Sequence, residues 1–209
     1  MKQCNHELIG PAAAAFIKMQ RYIDIQKTNS EPVFILLYGT PGTGKSETAA
    51  RVMNAITGNK HIINNNCDYS VKTVNGTDCN IDLLREWSVD IQYQNMHAPA
   101  WLAVIDEIDA MTSAAQTAAL SFMDRAPADT VIIGTTNSNP AELQARFQSR
   151  FFCIHVAVST DIEITEFIKN TYNLPGEIAG EIVSYCAGDI RQAMNDAKSA
   201  QIDQEIAAA

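Results

Sequence analysis

The chain has 209 residues, of which 46% are hydrophobic and 19% charged, and a formal net charge of −9. That composition suffices for one ordinary core, or a core with a small satellite domain, and excludes a disordered chain. With 15 Lys plus Arg against 24 Asp plus Glu, it also excludes the basic face of a free-standing DNA binder, so any contact with nucleic acid falls to a few local residues or to a partner.

Pro11 to Lys27 reads as a helix, with Pro11 in its first turn and Phe16, Met19, Ile23 and Ile25 as an apolar stripe. Val33 to Tyr38 is a short continuous apolar run, the pattern of a strand buried on both faces of a parallel sheet. A Gly-rich turn and a helix from Lys45 to about Thr57 follow. Val71 to Val74 is a weak strand candidate, and Asn80 to Asn95 a helix with Ile81, Leu84, Trp87 and Ile91 on one face. Trp101 to Ile105 and Thr130 to Gly134 are further buried strands, separated by a helix over Ala114 to Arg125. Phe151 to Val158 alternates as another strand.

Strands alternating with helices predict an α/β fold with a parallel sheet. From Ser159 the pattern turns all-helical, broken near Asn173–Gly176 and again at Gly188. We therefore expect two domains, an α/β core over 1–158 and a small helical domain over 159–209.

Gly39, Thr40, Pro41, Gly42, Thr43, Gly44, Lys45 and Ser46 fit G-x-x-x-x-G-K-[ST] in full, between an apolar strand and a helix. Glycines let backbone N–H groups turn toward phosphates, and the helix N-terminus adds positive partial charge. Lys45 is expected at the β- and γ-phosphates of ATP and Ser46 at Mg²⁺. Asp106 and Glu107 close a buried strand, where ligands of open α/β sheets bind. Asp106 is expected at Mg²⁺ and Glu107 at the attacking water.

These motifs with the helical C-terminal part resemble AAA+ ATPases, and clamp-loader small subunits (replication factor C-like) in particular. The resemblance covers about residues 8 to 200. It implies a five-stranded parallel sheet flanked by helices and followed by a helical lid. It also implies that Asn137, after Thr135 and Thr136, is the "sensor 1" residue. Gln148-Ser149-Arg150-Phe151 is similar to the family's Ser-Arg-Cys motif, whose Arg enters a neighbouring subunit's ATP site. Phe151 departs from the Cys, and Arg146, one helical turn earlier, is a rival for that role. Gly188-Asp189-Ile190-Arg191, continuing to Asn195, resembles the "sensor 2" helix, with Arg191 facing phosphate. Val74 to Asp78, Ile81-Asp82, Arg85-Glu86 and Asp106 to Thr112 with Gln116 continue the likeness. Leu8-Ile9-Gly10 looks like the adenine-contacting segment, so Ile9 and Gly10 join Glu47 and the phosphate loop as nucleotide contacts.

What the resemblance implies is an ATPase whose sites are completed by other AAA+ subunits, acting in DNA replication with a sliding clamp or a helicase, and with DNA through the assembly. We expect no counterpart of the family's collar domain, an expectation that favours a helicase loader or another remodeller as the alternative. A nucleotide-gated scaffold with little turnover is a further alternative, against which Glu107 argues. Cys4, Cys67, Cys79, Cys153 and Cys186 lack zinc spacing and read as reduced thiols. No signal-peptide core and no bilayer-length apolar run is present, so we expect a cytoplasmic protein with no membrane partner. His6, His61, His97 and His155 lack ligand spacing, Trp87 and Trp101 read as core, and Asn64–Asn66 as a polar loop.

Overall fold

The computed structural model describes residues 8–58, 71–92 and 100–207. Cys4, Cys67, His6, His61, His97 and the Asn64–Asn66 stretch lie outside the described residues, as do positions 93–95 of the expected third helix.

The chain divides into two compact units. One comprises Ala15–Gly39 and Lys45–His155. The other gathers the described residues of Met1–Ala14, Thr40–Gly44 and Val156–Ala209.

The first unit is built on strands β1 (Val33–Tyr38), β2 (Val71–Asn75), β3 (Trp101–Asp106), β4 (Thr130–Thr136) and β5 (Phe152–His155). All pairs are parallel, in the order β2-β3-β4-β1-β5. The three apolar runs, β1, β3 and β4, occupy the centre, where both faces are covered. The weaker candidates β2 and β5 are the edges and are only partly buried. Register explains two differences from the sequence reading. β4 continues two residues beyond Gly134 because Thr135 and Thr136 still pair with Leu37 and Tyr38. β5 stops at His155, not Val158, because β1, its one neighbour, ends at its partner Tyr38.

Helices α2 (Lys45–Thr57), α3 (Ile81–Asp90), α4 (Ser113–Met123) and α5 (Ala145–Gln148) belong to this unit, together with most of α1 (Gly10–Asn29). Asn80 and Thr112 cap α3 and α4 by accepting from the Leu83 and Ala115 amides. Helix α3 is shorter than expected: its last turn closes with the Ile91 N–H on the Trp87 carbonyl. Trp87 and Trp101 are buried and meet edge to face at 5.3 Å, so both are core residues, with Phe122 beside them.

The second unit contains α6 (Asp161–Tyr172), α7 (Gly176–Cys186) and α8 (Ile190–Ala207). They bury Ile164, Ile168, Val183, Ala193 and Ala197 in a core of their own. A reciprocal cap between Thr160 and Glu163 starts α6. Asn173 ends α6 in the left-handed region, and Ala187 and Gly188 end α7 there, at the two breaks the sequence marks. Among the described residues no helix is long and apolar enough to cross a membrane.

Candidate nucleotide site

Four strands of the sheet unit, β1 to β4, deliver polar groups at their carboxyl ends. β1 leads into Gly39, and α2 opens on Lys45 and Ser46. The Lys45 side chain is 7% exposed, and its Nζ donates to the Gly39 carbonyl at 2.9 Å. The ammonium is thereby held at the start of the Gly-rich turn. Gly42 and Gly44 have φ of 77° and 87°, a region that a side chain disfavours. Within the helical unit, the first N–H of α8, from Ile190, donates to the Gly42 carbonyl at 3.2 Å. The Asp189 carboxylate fills the space where a Gly42 side chain would stand. The start of α8 and the middle of the Gly-rich turn therefore share one compact unit, and Arg191 is the second residue of that helix.

β3 ends on Asp106, whose Oδ1 accepts two hydroxyl protons: Ser46 Oγ at 2.9 Å and Thr135 Oγ1 at 2.6 Å. The Thr135 oxygen in turn accepts the Glu107 N–H at 3.3 Å. Glu107 sits in the left-handed region at φ 53°, ψ 51°, a placement that costs a non-glycine residue about 1–2 kcal/mol. That backbone is clamped from both sides, by Thr135 on β4 and by the Gly76 N–H, which donates to the Asp106 carbonyl at 2.6 Å. A side chain at position 76 would run into the Glu107 carbonyl. The Glu107 carboxylate accepts from Asn75 Nδ2 at 3.0 Å, and Thr77 fixes the Asn75 amide by donating to its Oδ1 from both N–H and hydroxyl. Asn75 is the register partner of Asp106, so the end of β2 meets the acid pair through the pairing of β2 with β3.

The Ser46 hydroxyl and the Asp106 carboxylate form a hard-oxygen pair. Magnesium takes one or two such protein ligands and completes its shell with water and phosphate. Among the described residues no group of three or more His, Cys, Asp or Glu could hold a metal ion.

The other sequence-selected residues are placed differently. Asn137 is exposed, one residue past β4, and the strand-end group that engages Asp106 is Thr135. Arg150 is exposed and paired with Asp124, its Nε and Nη2 lying 2.9 Å and 2.8 Å from Oδ1. Arg146 and Arg191 are exposed. Glu47 pairs with Arg51 at 2.7 Å along α2. Ile9 packs against the helical core, and Gly10, with φ 46°, leaves room for the Glu163 carboxylate. Cys79, Cys153 and Cys186 are free thiols. Burial pushes Cys79 up to about 11 and also raises Cys153; in Cys186 burial is reinforced by Asp196 and Asp189. These thiols are held in the unreactive protonated form.

Thr135, Asn75 and Asp124 enter the picture from the structure alone. The available signal for the first two is position: each lies at the carboxyl end of a strand beside the acid pair. Asp124 has no such mark, because it meets Arg150 across 26 residues of sequence.

A family model described as "ATPase family associated with various cellular activities (AAA)" matches residues 35–158. The chain belongs to that AAA family. It is 26% identical over 184 residues to a protein called "Probable replication factor C subunit 5" from Dictyostelium discoideum, covering 82% of this chain and 51% of that protein. The AAA chain thus spans about half the length of this curated relative. Among solved structures, a mutant of Thermotoga maritima RuvB superposes with a TM-score of 0.72 at 18% identity, covering 96% of this chain and 65% of that one. A DNA polymerase III gamma subunit-related protein from T. maritima gives 0.65 at 19% identity, with coverages of 88% and 57%. Domain III of the T. maritima replication initiation protein DnaA gives 0.65 at 14%, covering 91% and 83%. These likenesses establish the AAA+ fold: a five-stranded parallel sheet in the order 2-3-4-1-5, flanking helices, and the C-terminal helices α6–α8.

Proposed function

We propose that this AAA chain binds ATP with Mg²⁺ at residues 39–46 and hydrolyses it at interfaces between subunits, as part of a clamp-loader-like assembly in DNA replication. The observation that carries the reading is the meeting of Ser46, Asp106 and Thr135 on one carboxylate oxygen at the sheet's carboxyl edge, with Glu107 aligned by the same hydroxyl.

In this reading the backbone amides of Gly42, Thr43 and Gly44 and the start of α2 cradle the phosphates, with Thr40, Pro41 and Glu47 at the rim. Lys45 moves its ammonium from the Gly39 carbonyl to the β- and γ-phosphates. Ile9 and Gly10 lie at the base. Ser46 and Asp106 are the residues that would hold Mg²⁺, which supplies charge neutralisation between phosphate oxygens. Glu107 orients and deprotonates the attacking water once its carboxylate leaves the Asn75 amide. Asn137 and Arg191 are polar contacts to the γ-phosphate, and Arg150 serves the neighbouring subunit's ATP. The division into a core over 1–158 and a lid over 159–209 is part of this proposal.

The clamp-loader assignment is supported by the replication factor C relative and by the short motifs around Arg150 and Arg191. An arginine delivered from a neighbour is worth about 10³ to 10⁵ in rate. The lone subunit should therefore bind ATP and turn it over slowly, and turnover per subunit should climb as the concentration crosses the assembly transition. A flat rate across that transition rejects hydrolysis at interfaces. Stimulation by primed DNA with a sliding clamp supports the replication role; stimulation by a helicase or single strands alone redirects it to a helicase-loading assembly.

A further inference from the structure

We infer that Asp124 is a positioning residue for Arg150, fixing the guanidinium so that its phosphate-binding end faces outward. The inference rests on the reading of Arg150 as the arginine offered to a neighbouring subunit. It goes beyond that reading by naming the group that aims the side chain.

Asp124 caps the C-terminal end of α4, and Arg150 follows α5. A single carboxylate oxygen receives both Nε, at 2.9 Å, and Nη2, at 2.8 Å. That grip occupies the side edge of the planar guanidinium. The end fork, formed by Nη1 and the outer hydrogen of Nη2, has no partner among the described residues. An end fork is the geometry that takes two phosphate oxygens at once. The side chains of Arg150 and Asp124 are 44% and 53% exposed, so solvent screens the pair and it adds little to stability. What it does instead is remove rotational freedom from a long side chain whose target must arrive from another molecule. Such freedom is costly when reacting groups have to meet within about an ångström. The surroundings make this placement specific. Arg146, on the same short helix, is exposed with its carbonyl taken by Ser149 Oγ, and it has no carboxylate partner among the described residues.

The test is a double-mutant cycle on assembly-dependent ATP turnover, using the full chain above its assembly concentration. Asp124→Ala should lower kcat about tenfold with little change in KM for ATP, because the nucleotide's own pocket is untouched. Asp124→Asn, which keeps an acceptor oxygen in the same place, should recover part of the loss. Arg150→Ala should lower kcat far more, and adding Asp124→Ala to it should cost nothing further, since Asp124 acts only through the arginine. Thermal midpoints of the Asp124 variants should match the parent. Additive losses, or an unchanged kcat in Asp124→Ala while Arg150→Ala is severely impaired, overturn the positioning role and leave the interface reading standing. An Arg150→Ala protein that retains full turnover overturns the interface reading itself, and the positioning role with it.

Discussion

The acid pair and the arginine edge are two polar regions of the same sheet unit, built in opposite ways. Asp106 and Glu107 are held by Ser46, Thr135, Asn75 and Gly76, contributed by three different segments, with Thr135 itself 3% exposed. Arg150 stands exposed on one screened ion pair. A group that reacts within its own subunit can be aligned in advance by its own fold. A group that serves another subunit must stay accessible, and only its direction can be arranged beforehand. On the proposed function, the contrast separates the half of the site the chain builds for itself from the half it lends.

The largest expected effect is at the exposed edge. Arg150→Ala should lower turnover of the assembled protein by about 10³-fold or more, while leaving ATP binding by the dilute subunit intact; a steady-state ATPase assay paired with a nucleotide-binding titration checks both. A loss of binding would place Arg150 in its own subunit's site and erase the contrast. Next comes Glu107→Gln, which keeps an oxygen to accept from Asn75 but removes the base. Turnover should fall by about 10² to 10⁴ with ATP retained on the protein, read by single-turnover kinetics; faster hydrolysis would contradict the water-activating role.

Thr135→Val sharpens the inner half. Removing one buried hydroxyl strips a donor from Asp106 and an acceptor from the Glu107 N–H. Thermal or denaturant unfolding should show a loss of about 1–2 kcal/mol, with turnover down by about tenfold. If stability falls and turnover does not, Thr135 is a packing residue only. The smallest effect is expected at Asp82, whose ion pair with Arg85 has side chains 87% and 75% exposed. Asp82→Ala should change stability by less than about 0.5 kcal/mol and leave turnover alone; a larger change would mean that exposed pairs here do more than screening allows, and would weaken the account of Asp124.

The same contrast explains what the sequence discloses. The central strands are legible because burial on both faces demands continuous apolar runs, as in Val33 to Tyr38 and Trp101 to Ile105. The Gly-rich turn is legible because its glycines and Lys45 are local to eight residues. The edges are less so: the end of β5 at His155 depends on where β1 ends, information carried 117 residues away at Tyr38, partner of Thr136 on one side and His155 on the other. Asn75, Thr135 and Asp124 are unremarkable in composition and acquire their contacts only when β2 pairs with β3, β4 with β3, and α4 brings its end to Arg150. Asn137 shows the converse. Its motif draws the eye, but the residue that touches the acid pair lies two positions earlier, because Thr135 is still inside the buried strand while β4 ends at Thr136 and leaves Asn137 exposed beyond it.

The central claim is that one subunit's pocket is completed by another subunit's arginine, and mixing tests it most directly. On the proposed function, Lys45→Ala subunits would lack the phosphate-binding ammonium and Arg150→Ala subunits the lent guanidinium, so each alone should be nearly inactive. Combined in equal amounts above the assembly concentration, they should regain a substantial fraction of parental turnover, because the first supplies Arg150 to the intact pocket of the second. A mixture no more active than the sum of its two components would contradict the account.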